Sequence, residues 1–367
     1  RRRAERGWRA AVLDERGSRH AFRLRASEEG SGSQAPASAS GASNAHEGAD
    51  TLFGLRATTK EADGRARSAR SGAEQSNTVM MTRVTTILSI QSSVAYGHVG
   101  NSAVTFPLMR MGVEVWPVNT VHFSNHTGYR TWRGPLLGAA DLHDVVHGID
   151  ERGVLGEVDA VLSGYQGGDD IGAVILDAVA LVKLRNPAAI YCCDPVLGDA
   201  DVGSYVLPGI AEFMREQVVP AAQIITPNQF ELTCLTGLPV ATMDDVLDAA
   251  DAARGLGPDI VLITSVVRGD APPGMIDMVA VDAEGAWLVS TPRLARTFTG
   301  SGDVTAATFL AAQLRLQDLP KAVAHTAAVI YGLLTVTDAL GLSELALIAA
   351  QEEFIRPSHN FEVVRLR

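Results

Sequence analysis

The chain has 367 residues, with 42 Asp and Glu against 31 Lys and Arg and a formal net charge of −11. That acidity excludes general nucleic-acid binding, and no apolar run reads as long enough to span a bilayer. Three cysteines, two of them adjacent, fit neither a disulfide framework nor a zinc site and point to a reducing compartment.

Residues 1 to about 79 stand apart in composition. They hold Arg1-Arg2-Arg3, scattered arginines and a Ser/Gly/Ala stretch over 31–43, with sparse, aperiodic apolar residues. Such a segment cannot bury enough surface to fold alone. An arginine-rich transit peptide is the weaker reading, because acidic residues are scattered through it. Met80-Met81, followed at once by a strand, gives the expectation of a disordered or non-native leader over 1–79 and a functional domain over 80–367.

From Thr85 a regular alternation begins. Thr85 to Ile90 is a short apolar run, read as a buried strand that Gln91-Ser92-Ser93 ends. Gly97-His98-Val99-Gly100-Asn101-Ser102 leads into a helix through Met109, and Val113 to Val118 is the next strand. Ala160-Val161-Leu162-Ser163 is another, closed by Gly164-Tyr165-Gln166. Ile171 to Val182 has helical spacing; Ala189 to Cys193 is a strand ending at Asp194-Pro195. Further strands are Ile224 to Asn228, ending in a turn, and Asp259 to Ser265. Strands separated by helices predict an α/β fold, a mainly parallel central sheet between two helical layers, in one domain. Residues 275–282 and 286–290 read as a hairpin around Ala283-Glu284-Gly285. Three helices, roughly 303–317, 320–340 and 342–355, close the chain.

The stretch before the first of them, Thr299-Gly300-Ser301-Gly302-Asp303, crowds small residues into a turn. Gly300 and Gly302 permit a tight bend and close ligand approach, and the unpaired amides of the following helix attract anions. A carboxylate there suits a general base beside a transferring phosphoryl group; the alternative is that Asp303 simply caps the helix. Ligands in open parallel sheets sit beyond the carboxyl ends of the strands. Ser92, Tyr165, Asp194, Thr226, Asn228, Glu231, Thr264 and Asp303 all fall there. Asp194 and Glu231 could organise Mg²⁺ around nucleotide phosphates, partly through water. Asn228 and Glu231 share a face if a helix opens at Pro227, and a capping pair is the competing reading. Neither a Walker phosphate loop nor G-x-G-x-x-G after the first strand is present, and Gly97-x-x-Gly100 is too short a match for a dinucleotide loop.

Gly300-Ser301-Gly302-Asp303 resembles the G-x-G-D anion-hole and base motif of ribokinase-like small-molecule kinases, and Asn228-x-x-Glu231 their magnesium-nucleotide motif. Gln91-Ser92, the run Tyr96 to Asn101, Phe123-Ser124-Asn125-His126-Thr127, Leu162-Ser163-Gly164-Tyr165 and Cys193-Asp194-Pro195-Val196 look like a pyridoxal/pyridoxamine kinase, in order from about Met80 onward. The resemblance implies ATP-dependent phosphorylation of the 5′-hydroxyl of pyridoxal, pyridoxine or pyridoxamine. It makes Asp303 the base, with the Gly300, Ser301 and Gly302 amides stabilising the transferring group. Ser92, Val99, Thr127, Gly128 and Tyr165 would hold the ring. Asp194, Thr226, Asn228, Glu231, Thr264 and Ser265 would face ATP and Mg²⁺, and Thr291, Pro292, Arg293 and Leu294 would flank the adenosine. A lid would lie over 198–205. A monovalent cation as helper, a cytoplasmic location and a homodimer are carried by the same resemblance.

Three positions depart from the pattern: Gly128 stands for a larger side chain, Ser301 is an unusual middle residue, and Thr264 replaces a lysine of some members. These bear on substrate preference more than on reaction class. The rival readings are a hydroxymethylpyrimidine kinase of the same superfamily and a non-catalytic pyridoxal-phosphate binder. Cys192 and Cys193 read as inert core thiols. His122, His126, His143 and His147 do not have ligand spacing, and the last helices read as core.

Overall fold

Alternation along the strands builds a sheet with two apolar faces. The computed structural model describes residues 11–13, 19–21 and 83–367, apart from 167, 205 and 207, and the chain divides into two units, Arg1–Met81 and Thr82–Arg367. In the first, the described residues are two short antiparallel strands, Ala11–Leu13 and Arg19–Ala21. The reading of 1–79 as a leader otherwise lies outside the described residues.

In the second unit the described residues form a sheet in the order β9-β8-β7-β6-β5-β4-β3-β1-β2. The strands are β1 Thr86–Val94, β2 Glu114–Phe123, β3 Ala160–Ser163, β4 Ile190–Cys193, β5 Ile224–Ile225, β6 Ile260–Val266, β7 Met275–Val281, β8 Ala286–Pro292 and β9 Val364–Arg365. The six from β2 to β6 pair in parallel, and β7, β8 and β9 add antiparallel to one edge. Successive residues point to opposite faces. Leu88, Ile90, Val161, Tyr191, Ile225, Val261 and Ile263 therefore enter one core with α2 Ala139–Glu151, α3 Asp169–Arg185 and α5 Met243–Arg254. Ile87, Val115, Leu162, Cys192, Ile224 and Leu262 enter the other, with α1 Asn101–Arg110, α6 Ser301–Leu316 and α7 Leu319–Ala339. α4, Gln229–Thr236, follows β5. This is the expected three-layer α/β/α sandwich.

Several boundaries differ from the sequence reading, each for a local reason. β1 does not stop at Gln91: it runs to Val94 with an irregularity between Gln91 and Ser93, because β2 continues to Phe123 and keeps pairing with it. Helices α2 and α5 lie where the sequence reading placed no element: α5 buries mainly alanines, whereas Leu142, Val145, Val146 and Ile149 of α2 do repeat at helical spacing. The third closing helix is absent: residues 342–355 form turns and a 3₁₀ turn at Gln351–Phe354. Gly341 at φ +64° ends α7, and the Thr337 hydroxyl accepts from the Ala346 amide at 3.0 Å, folding the chain back. Leu345, Leu347 and Phe354 then plug the core individually. Finally, α7 is long and apolar enough by length and composition to cross a bilayer, which corrects the opening expectation. In the fold, 56% of its most apolar window is buried, against α6 among other elements, so its hydropathy is that of a core helix.

Candidate active site

Three carboxyls line up where the parallel strands end. Asp194 follows β4 and is 6% exposed; the Thr226 hydroxyl, just beyond β5, donates to its Oδ1 at 2.7 Å. Glu231, 4% exposed, lies in the first turn of α4. Asp303 lies in the first turn of α6, where its carboxyl accepts from its own amide and from the Gly100 amide. Burial pushes Asp303 up to about 6. Burial, and then the charge of Asp303, pushes Asp194 up to about 7. Burial, and then the charge of Asp194, pushes Glu231 well above the usual carboxylate range. Each carboxyl thus feels the next, and no cation is supplied by their described partners. Buried acids whose charges raise one another mark a candidate functional site.

The turn before α6 settles how Asp303 is used locally. The N-cap is Gly300, at φ +84°, and not Asp303, so the capping reading of Asp303 is overturned. Gly300 is needed because a Cβ there would collide with the His98 carbonyl. Gly302, by contrast, is helical, has open space around it and no positive φ. The Ser301 amide donates to the Phe298 carbonyl at 3.2 Å, so it is spent within the turn, unlike the expectation that all three amides of 300–302 serve a ligand. Ser301 itself begins the helix and its carbonyl accepts from Thr305 at 2.7 Å.

The Asn228–Glu231 pair is a reciprocal capping box: Asn228 Oδ1 accepts from the Glu231 amide and Glu231 Oε2 from the Asn228 amide, both at 2.9 Å. α4 therefore starts at Gln229, with Pro227 outside it, which corrects the expected start. Glu231 Oε1 also accepts from the Leu197 amide at 3.0 Å, and Asn228 Nδ2 donates to the Gly198 carbonyl at 2.8 Å. The cap thus pins the root of the expected lid, a small hairpin of Gly198–Asp199 with Gly203–Ser204; Tyr205 is outside the described residues. Thr264 is buried and bridges to Asn228, and Ser265 takes φ +56° beside a bulge in β6.

Magnesium can be tested against these donors. Among the described residues no three Asp, Glu, His or Cys side chains form a metal cage. Glu231 already spends both oxygens on backbone amides, while Asp194 keeps Oδ2 beside the Thr226 bond. That set fits a Mg²⁺ held mostly by phosphates and water, with carboxylates nearby, because Mg²⁺ dehydrates reluctantly.

At the other end, Ser92 sits at the irregularity in β1, where bulges re-aim side chains. Gly100, at φ +51°, packs on the Ser92 carbonyl and hands its amide to Asp303. Val99 packs with Val94, Val121 and Phe123. Thr127 and Gly128 are exposed in the loop after β2; the Gly128 amide donates to His126 Nδ1 at 3.2 Å, and that ring stands 3.0 Å from where a Gly128 Cβ would be. A side chain at 128 would crowd that imidazole. Tyr165 is half-buried at the end of β3, and burial raises its hydroxyl. Thr291 and Pro292 end β8, and the Arg293 amide returns to the Gly274 carbonyl at 2.8 Å. That places Thr291 to Leu294 three strands from β5, apart from the carboxyls. Cys192 and Cys193 are buried and free, with thiols pushed up by burial, Cys193 to about 12.

Sequence reading missed Gly100 as a partner of Asp303, and with it Glu344, which reaches the same loop. The Gly97-x-x-Gly100 spacing was the available signal; it marks a turn whose Gly100 amide meets Asp303 instead of a dinucleotide loop.

The residues 146–345 match the family model described as phosphomethylpyrimidine kinase. The chain is 54% identical over 280 residues to a pyridoxal kinase, PdxY, of Leifsonia xyli subsp. xyli, covering 76% of this chain and 99% of that protein. It is 55% identical over 281 residues to the PdxY of Rubrobacter xylanophilus, covering 76% and 97%. Among solved structures, pyridoxal kinase from Leishmania donovani in complex with ADP and pyridoxine superposes with a TM-score of 0.72 at 28% identity, covering 77% of this chain and 99% of that one. Fold and shared sequence agree, and the chain belongs to the pyridoxal kinase family of ribokinase-like proteins.

Proposed function

We propose that the protein transfers the γ-phosphoryl group of ATP to the 5′-hydroxyl of pyridoxal, pyridoxine or pyridoxamine, giving in the case of pyridoxal its 5′-phosphate. One observation carries the chemistry: a carboxyl with raised proton affinity, Asp303, stands in the first turn of α6, directly after the Gly300–Gly302 turn. Relatives named as pyridoxal kinases, at 48–55% identity, carry the substrate class.

Asp303 takes the hydroxyl proton as the alcohol oxygen bonds to the γ-phosphorus and the bond to the β-phosphate oxygen breaks, releasing ADP. The Gly300 and Gly302 amides stabilise charge on the transferring group, the main catalytic demand of this reaction. Ser92, Val99, Thr127, Gly128 and Tyr165 hold the ring. Thr226, Asn228, Thr264, Ser265 and residues 291–294 line the nucleotide side. Mg²⁺ near Asp194 and Glu231 would neutralise phosphate charge. Domain 80–367 is read as the catalytic part, working as a cytoplasmic homodimer on small molecules, with a monovalent cation as helper.

Product identification tests this. The full chain and the chain from Met80 are incubated with ATP-Mg and each vitamer, with hydroxymethylpyrimidine as competitor. The expected result is ADP and the vitamer 5′-phosphate in equal amounts from both proteins. A preference of about tenfold for the pyrimidine, worth about 1.4 kcal/mol, would reverse the substrate order in favour of the reading that the family model's description suggests. Binding of pyridoxal phosphate without any ATP turnover would support a non-catalytic binder.

A further inference from the structure

Glu344 lies in the turn after α7, remote in sequence from every residue of the site, yet its carboxylate reaches two loops that flank the ring end. Oε2 accepts from the His98 amide at 2.9 Å. Oε1 accepts from the Tyr129 hydroxyl at 2.5 Å and lies 3.5 Å from His126 Nε2. The Glu344 side chain is 11% exposed. The Glu344 carboxylate, with a smaller part from burial, pushes the Tyr129 hydroxyl up to about 12. Gly97 is a glycine at φ +92° because a Cβ would strike the same carboxylate.

The partners carry the functional positions between them. His98 precedes Val99 and Gly100, whose amide binds Asp303. His126 and Tyr129 bracket Thr127 and Gly128, and their rings pack at 4.5 Å between centroids. The next residue, Leu345, stands 3.5 Å from where a Gly300 Cβ would lie, and the His98 carbonyl is closer still. We infer that Glu344 is a positioning residue for substrate: one carboxylate ties the loop after β1 to the loop after β2. It thereby fixes the distance between Val99-Gly100 and Thr127-Gly128 across the ring pocket. The inference rests on the pyridoxal kinase reading and adds to it a residue that touches neither substrate nor reacting atoms.

Glu344→Gln and Tyr129→Phe separate this from a general structural role. Removing the charge from a carboxylate that accepts two hydrogen bonds and faces the His126 ring weakens these contacts together. In Glu344→Gln the KM for pyridoxal is expected to rise about tenfold, with the KM for ATP within about twofold and Tm nearly unchanged. Tyr129→Phe should move in the same direction by less, and it remains informative if the first variant does not fold. Amide hydrogen exchange over 96–100 and 126–131 should speed up in Glu344→Gln, a readout that needs no activity. Parent enzyme inactive on pyridoxal would defeat the substrate reading, while the exchange result would still judge the tie between loops. Unchanged exchange in both loops, or both KM values rising together with a fall in Tm, would overturn the inference.

Discussion

Asp303 is the base of the proposed reaction, and its environment sets how it would work. As a free acid in water its carboxyl would be ionised across the physiological range; in the fold, burial lifts it to about 6. A base of that strength is ionised at neutral pH yet holds a proton better than an exposed aspartate, which suits general-base work. The Gly100 amide keeps the carboxylate aimed, since it favours the charged form and opposes the burial effect. Asp303→Asn retains shape and hydrogen bonding but cannot accept a proton. Its kcat is expected to fall about 10²–10⁴-fold, with KM values changing much less, because the ring and nucleotide contacts come from other residues. The parent's kcat/KM should rise with pH through about 6 on its acid side, as Asp303 loses its proton, and that limb should vanish in the variant. A folded Asp303→Asn protein within about threefold of the parent, far below the general-base range, would refute the assignment.

At the scale of elements, the turn into α6 joins two different demands on glycine. Gly300 holds φ +84° with the His98 carbonyl where a side chain would begin. Gly302 is an ordinary helical position in open space, so the backbone does not demand a glycine there, and the proposed function assigns its bareness to ligand approach. The two alanine variants should therefore part company. Gly300→Ala is expected to cost about 1–3 kcal/mol of stability through strain, lowering Tm as well as activity. Gly302→Ala should leave Tm equal or slightly higher, since alanine favours helix, while turnover falls because a methyl group enters the space of the phosphoryl group. Thermal melts of both proteins beside ATP turnover check this; a stable, fully active Gly302→Ala would remove that position from the anion site. The capping box at α4 shows the same economy, since the Asn228–Glu231 pair that closes a helix end also holds Leu197 and Gly198 at the lid root.

For the molecule as a whole, the buried carboxyls Asp194, Glu231 and Asp303 are a stability cost, which the proposed function assigns to ligand binding. Burial and the charge of Asp303 lift Asp194 to about 7 in the fold, against 3.8 for an ordinary aspartate. Between those values the folded chain keeps a proton that the unfolded chain releases. Stability from this group therefore falls as pH rises from about 4 to about 7, and is flat above. Asp194→Asn removes the buried charge and keeps an acceptor for Thr226. It should melt higher than the parent at pH 8 by about 2 °C or more, since ~1 kcal/mol moves Tm by about 2–4 °C in domains of 150–250 residues. The gap should close toward pH 4, and ATP turnover should drop. Scanning calorimetry at several pH values decides; a variant that melts lower than the parent at pH 8 would show that Asp194 is stabilising as an anion.

The fold class and much of the site could be read from local patterns. Buried strands announce themselves as apolar runs, because both faces of a parallel sheet are covered, and polar residues at their ends mark the ligand edge. Thr299 to Asp303 carries its own turn chemistry in five residues. What escaped reading depends on partners far away in the chain. That Gly300 and not Asp303 caps α6 follows from the His98 carbonyl, two hundred residues earlier, occupying the space of a side chain. The raised proton affinities of Asp194, Glu231 and Asp303 come from burial and from one another, and no spacing in sequence encodes either. Residues 342–355 look helical in isolation, but Leu345, Leu347 and Phe354 each find a separate slot in the core, so packing overrides propensity. Glu344 sits in that same segment, and only the packing of α7's end against two distant loops brings its carboxylate to them. Sequence determined the elements and the chemistry they could carry; tertiary structure decided which groups are desolvated, which amides remain open, and which distant side chain holds the pocket together.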